Sequence, residues 1–175
     1  MMKYFLLGFF LLFFIDVTAQ NITVDSQSLN AQQLIEDVLI DSDCIDNIIV
    51  SNAQSGDFGG TELSYGTFDA TGTTFPFQSG IVLSTGRLSN VPGPNDSLND
   101  DNAPGWNGDN DLEIALDETG TFNATIIEFS FTAITSQISF RYLFASEEYR
   151  EGNPFTCDFS DLFGFLIKPS DNSEP

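Results

Sequence analysis

Thr125-Ile126-Ile127-Glu128-Phe129-Ser130-Phe131-Thr132 and, just after it, Gln137-Ile138-Ser139-Phe140-Arg141-Tyr142-Leu143-Phe144 decide the fold class. In the first, Ile127, Phe129 and Phe131 share a face and Glu128, Ser130 and Thr132 point away. In the second, Ile138, Phe140, Tyr142 and Phe144 share a face, with Ser139 and Arg141 opposite. Successive side chains of an extended chain alternate, so a period of two marks strands with one face inward. The break at Ala133-Ile134-Thr135-Ser136 is short enough for a hairpin. Asp161 to Ile167, apolar on both faces, is expected to add a third strand.

Upstream the pattern stays β. Gly80-Ile81-Val82-Leu83-Ser84-Thr85-Gly86 reads as a strand bounded by glycines and apolar on both faces, hence buried. Ile45 to Val50 is a shorter strand, followed by the glycine-rich Ser55-Gly56-Asp57-Phe58-Gly59-Gly60, and Asn21 to Asp25 is an opening strand. One helix is expected, from Asn30 to about Leu39. Asn30 is its N-cap and Gln33 the capping-box partner, and Ala31, Leu34, Ile35, Val38 and Leu39 form an apolar stripe at helical spacing. Ser89 to Asp111, rich in Asn, Asp, Gly and Pro, reads as a long loop, and loops beyond about 12–15 residues in a compact domain are usually functional or disordered. The expected class is mainly β, a β-sandwich or jelly-roll-like domain with one short N-terminal helix.

The ends place this domain outside a cell. Met1-Met2-Lys3 precedes an apolar run from Tyr4 to Ile15 and then Asp16-Val17-Thr18-Ala19-Gln20. That is the layout of a cleavable signal peptide, residues 1–19, with Val17 and Ala19 at the −3 and −1 positions. A membrane span needs about 20 apolar residues, and Asp16 stops the run short of that. No later stretch is long enough to span either. At the other end, a polar loop from Lys168 to Pro175 follows a hydrophobic strand directly. The domain of residues 20–175 is therefore expected to be cut short at its C-terminus, with any sorting or anchoring signal beyond it.

Composition excludes several function classes. The net charge is −21, and removing Lys3 and Asp16 with the signal leaves it unchanged. Nucleic-acid binding runs on Lys and Arg, so a phosphate backbone is excluded as a partner, and anionic lipid surfaces are disfavoured likewise. A hydrophobic fraction of 41% nevertheless suffices for a packed core. The chain has no His, which rules out His-dependent nucleophilic sites and His-bound zinc. Glu147 and Glu148 are a poor glycosidase pair, because neighbours on a strand point to opposite faces and a catalytic pair must flank one bond. A more distant pair, such as Glu148 with Asp161, stays open.

Calcium fits the acidic loop better than catalysis does. Asn107, Asp109 and Asp111 place short oxygen-bearing side chains at alternate positions, as hard cations require. Leu112 stands where an EF-hand needs its turn glycine, so the match is not to that motif. The same residues are also ordinary turn formers. Cys44 and Cys157 are the only cysteines, and in an oxidising compartment they could close a loop of over a hundred residues, worth ~4 kcal/mol in the chain-entropy model. Free thiols, or a partner beyond Pro175, are the alternatives. Asn21, Asn95 and Asn123 each begin a glycosylation sequon, which chance in an Asn- and Thr-rich chain also explains.

The ordered motifs form a series. They run Leu34-Ile35-Glu36-Asp37-Val38-Leu39 and Cys44, Gly80 to Gly86, Gly93-Pro94-Asn95, Gly108-Asp109-Asn110-Asp111-Leu112, and Asn123-Ala124-Thr125-Ile126-Ile127-Glu128-Phe129. Phe144-Ala145-Ser146-Glu147-Glu148-Tyr149 and Phe159-Ser160-Asp161-Leu162-Phe163-Gly164-Phe165 complete it. From Ala31 to the end this resembles the bacterial choice-of-anchor L domain. The resemblance implies an N-terminal module of exported surface proteins whose C-terminal parts carry differing anchors, type IX secretion signals among them. Secretion or sorting machinery would then act through a C-terminal region beyond this chain. In the calcium reading, Glu147 or Glu148 meets a cation held by the Asp109 loop.

The expected function is a non-enzymatic extracellular module serving adhesion, matrix building or domain display, stabilised by Ca²⁺, with an extracellular partner still to be identified. The alternative is a carbohydrate-active enzyme or a carbohydrate-binding accessory domain. Convergent carboxylates in a cleft would favour the enzyme, and a carboxylate cage around a cation the structural module.

Overall fold

A computed structural model describes residues 21–40, 42–93, 101–146 and 160–169. The fold is mainly β, with two antiparallel sheets. The first has the order β1-β3-β4 and the second pairs β2 with β5. The strands are β1 (Thr23–Asp25), β2 (Ile45–Gln54), β3 (Tyr65–Asp69), β4 (Ser79–Leu83) and β5 (Ile126–Ala133). In β5 the alternation is realised as expected. Ile127, Phe129 and Phe131 are half-buried, whereas Glu128, Ser130 and Thr132 are exposed. Its partner β2 runs on to Gln54, past the expected end at Val50, and its register against β5 shifts twice. Asn47 lies in the left-handed region at the first shift (φ 53°), a conformation Asn tolerates better than branched residues.

The expected helix is α1 (Ala31–Gln33), running on as a π-helical stretch (Leu34–Leu39). Its start is the capping box: the Asn30 side chain accepts from the Gln33 N–H at 3.0 Å, and Gln33 Oε1 accepts from the Asn30 N–H at 3.1 Å. Two donors that a helix start would orphan are thus satisfied. Leu34 and Ile35, each 1% exposed, are driven into the core. Gln32 ties the helix to β2, since its Oε1 accepts from the Val50 N–H at 2.8 Å and its Nε2 donates to the Ile48 carbonyl at 2.9 Å.

The ends of four strands meet at one point. Ser64, fully buried, precedes β3; Ser55 follows β2, Ser84 follows β4 and Thr125 precedes β5. Ser64 Oγ lies 3.1 Å from Ser55 Oγ and 2.5 Å from Thr125 Oγ1. The Thr125 hydroxyl donates to the Ser84 carbonyl at 2.5 Å, and the Ser84 N–H donates to the Ser64 carbonyl at 2.8 Å. A seam of hydroxyls therefore joins the sheets, and buried hydroxyls are tolerated only when bonded in this way.

Four expectations are corrected. β4 is not buried: among the described residues it is an edge strand paired with β3 alone, its apolar side chains are half-covered and Leu83 is exposed. The acidic stretch is not all loop, because α2 (Asn110–Leu116) forms within and beyond it and a 3-10 turn (Leu88–Asn90) stands at its start. The helix count is accordingly not one. Gln137 to Phe144 forms no strand, nor do the described residues from Ser160 to Ile167. Phe140 does stack on Phe165 (4.1 Å between centroids) and Tyr142 on Phe163 (5.1 Å), an antiparallel alignment of side chains. Among the described residues no layer covers them, and Tyr142 is 61% and Phe165 42% exposed. Alternation settles which residues share a face; whether that face is covered depends on the rest of the chain.

Candidate functional site

Three loops leave the sheets at the hydroxyl seam: 55–64 after β2, 84–93 after β4 and 101–125 before β5. The third is built around Ala103-Pro104-Gly105-Trp106. Pro104 presets φ at the second turn position, Gly105 supplies the positive φ (72°) at the third, and the Trp106 N–H donates to the Ala103 carbonyl at 3.3 Å. That is a type II turn, and its sequence demands it. The turn drives Trp106 inward, where Nε1 donates to the Ala124 carbonyl at 2.8 Å. The indole meets Phe58 edge-on, 5.4 Å between centroids and 89° between planes, the arrangement favoured by the ring quadrupoles. Gly56 lets the two rings approach, since a Cβ there would lie 2.7 Å from both Phe58 and Trp106.

Arg87 closes the cluster on the other side of Phe58. Its guanidinium sits 4.9 Å from the Phe58 centroid, a cation–π contact. It also pairs with Glu62 at 3.1 Å and Asp101 at 3.5 Å. The Arg87 N–H and the Asn90 amide both donate to Asp101 Oδ2. A hydrogen bond from the Ser89 hydroxyl, and after it the Arg87 guanidinium, holds the Glu62 carboxyl below the ordinary glutamate range against the opposing pull of burial. Both carboxylates are thus committed to one cation. Sequence reasoning missed Arg87, Glu62 and Phe58, because partners 25 residues and more apart leave no periodic trace.

The residues expected to hold calcium are placed as follows. Asn107 forms an isolated antiparallel bridge with Phe122, and its carbonyl accepts from the Ala124 N–H. Asp109 is the N-cap of α2, its Oδ1 accepting from the Leu112 N–H at 2.5 Å, and Asp111 lies in the first turn. Acidic side chains at a helix start answer the unpaired N–H groups and the positive end of the macrodipole. The alternation of Asn107, Asp109 and Asp111 is therefore a bridge, a cap and a helical turn rather than three arms of one extended loop. Glu147 and Glu148 lie outside the described residues, and among the described residues no group of three or more Asp, Glu, Cys or His side chains could hold a metal. Cys44 is exposed just before β2, while Cys157 and residues 1–19 lie outside the described residues.

Beside the turn, Asn102, Pro104, Trp106, Asn107 and Phe122 line an open cleft of about 460 Å³. Phe122, on its wall, is 72% exposed. The next residue, Asn123, is 8% exposed and adopts φ 56°, with its N–H donating to the Trp106 carbonyl at 3.2 Å.

Comparison with known proteins gives one match: the family model described as the choice-of-anchor L domain covers residues 23–175. No curated protein and no solved structure matches.

Proposed function

The chain belongs to the choice-of-anchor L family, which suggests an extracellular surface-protein module, and from that premise we propose that it is non-enzymatic, serving adhesion, matrix building or domain display. The observation that carries this reading is the family match over residues 23–175. The geometry of the loop cluster supports it. The Glu62 carboxyl is held below its ordinary range, away from the raised pKa of a general acid, and Asp101 is engaged as an ion-pair partner of Arg87. Aromatic packing, a rigid turn and neutralised charge are what a binding or scaffolding surface needs from its supports. Among the described residues, no helix is long and apolar enough to cross a membrane.

Residues 1–19 act as the export signal in this proposal. Fractionation of cells making the full chain, with and without residues 1–19, tests it. The full chain is expected outside the cell with its N-terminus at Gln20, and the shortened chain inside. An uncleaved full chain retained in the cytoplasm would overturn the extracellular reading. Release of reducing ends from polysaccharides by the purified chain would overturn the non-enzymatic one.

A further inference from the structure

We propose that the cleft beside Trp106 binds a neutral sugar residue, an inference that rests on the reading of a non-catalytic extracellular module and names its ligand class. The first observation is the charge of its lining. In a chain of net charge −21, none of the described residues that line the cleft between Asn102 and Phe122 carries an ionisable side chain. The two described acids that flank Asn102 and Asn107, Asp101 and Asp109, are engaged elsewhere. Asp101 takes the Arg87 and Asn90 donors, and Asp109 caps α2. A cleft lined by uncharged side chains in so negative a molecule disfavours anionic ligands at long range.

The second observation is the kind of groups that remain. Phe122 stands 72% exposed on the wall, and an uncovered aromatic ring is the surface against which the C–H face of a pyranose stacks. Asn102 and Asn107 are exposed primary amides on the cleft. Each amide both donates and accepts, as a ligand of vicinal hydroxyls does. The volume of about 460 Å³ falls in the range of small-ligand sites, about 300–1,000 Å³. It suits one or two sugar rings.

The third observation is rigidity. The type II turn at Pro104-Gly105, the Trp106 Nε1 bond to Ala124 and the Asn107–Phe122 bridge brace the backbone that carries the cleft. Preorganisation of this kind lowers the ordering cost of binding.

Trp106 is the chain's single tryptophan and lines the cleft, so its fluorescence reports occupancy. The purified full chain is titrated with glucose, galactose, mannose and N-acetylglucosamine, with soluble dextran and cellulose oligomers, and with glucuronate as the anionic control. At least one neutral sugar is expected to give a saturable change with Kd on the order of 1 mM, and glucuronate none. Phe122→Ala and Asn107→Ala are each expected to weaken binding roughly fivefold to tenfold while melting within a few degrees of wild type. Response to a polymer alone would assign the site to chain ends or runs, and response to free sugars as well to single residues; either supports the proposal. No saturable response to any neutral sugar, an undiminished response in both variants, or a stronger response to glucuronate would overturn it. Such a failure in a protein that still reaches the outside of the cell sinks the cleft alone; retention in the cytoplasm sinks the module reading instead.

Discussion

The loop cluster around Trp106 and the aromatic ladder of Phe140, Tyr142, Phe163 and Phe165 are both rich in rings, yet only the first is buried. Trp106 has a polar handle and a partner for it, the Ala124 carbonyl, and its ring closes against Phe58. The ladder rings stack on one another across two antiparallel segments and remain two-fifths or more exposed. Arg141, on the opposite face of its segment, sits over Phe77 at 5.2 Å, so that side has a partner of its own. Rings alone do not make a core. What makes one here is convergence of three loops on one side chain, and the hydroxyl seam fixes where those loops start.

The largest expected effect tests that contrast directly. Trp106→Ala is expected to cost about 3–5 kcal/mol, as for large aromatic truncations in cores, whereas Phe165→Ala should cost less than about 1 kcal/mol. Denaturant melts of the two variants read both numbers, and equal losses would break the comparison. A smaller effect belongs to the seam. Ser64→Ala removes the buried hydroxyl that bridges Ser55 and Thr125 and is expected to cost about 1–3 kcal/mol; an unchanged midpoint would mean the sheets are joined by something else. Smallest is the cap of α2. Asp109→Ala is expected to lose about 1 kcal/mol and Asp109→Ser almost nothing. A rise in the melting temperature of the wild type with Ca²⁺, abolished in Asp109→Ser, would give Asp109 a ligand's role as well.

How much was legible follows the same division. Short-range chemistry was readable: the Asn30–Gln33 capping box and the alternation of Ile127, Phe129 and Phe131 appear as the residues dictate. Asn107, Asp109 and Asp111 have ligand spacing in the sequence, and in the fold they stand at a bridge, a cap and the first turn of a helix. The signal for α2 was present in Asp109 as a cap, with Leu112, Ala115 and Leu116 at helical spacing behind it. Arg87, Glu62 and Phe58 could not be read, since their meeting depends on which strand ends are neighbours. The ladder misled for the opposite reason. Its alternation was correct, and the burial inferred from it needed a second layer that alternation cannot report.

The seam has a mechanical consequence. A pull along β5 passes from Thr125 to Ser84 and Ser64, so β4 and β3 take up tension together with the strand that is pulled. The bonds that join the two sheets converge on the Thr125 hydroxyl. That end of the domain is where load applied to one sheet would be passed to the other.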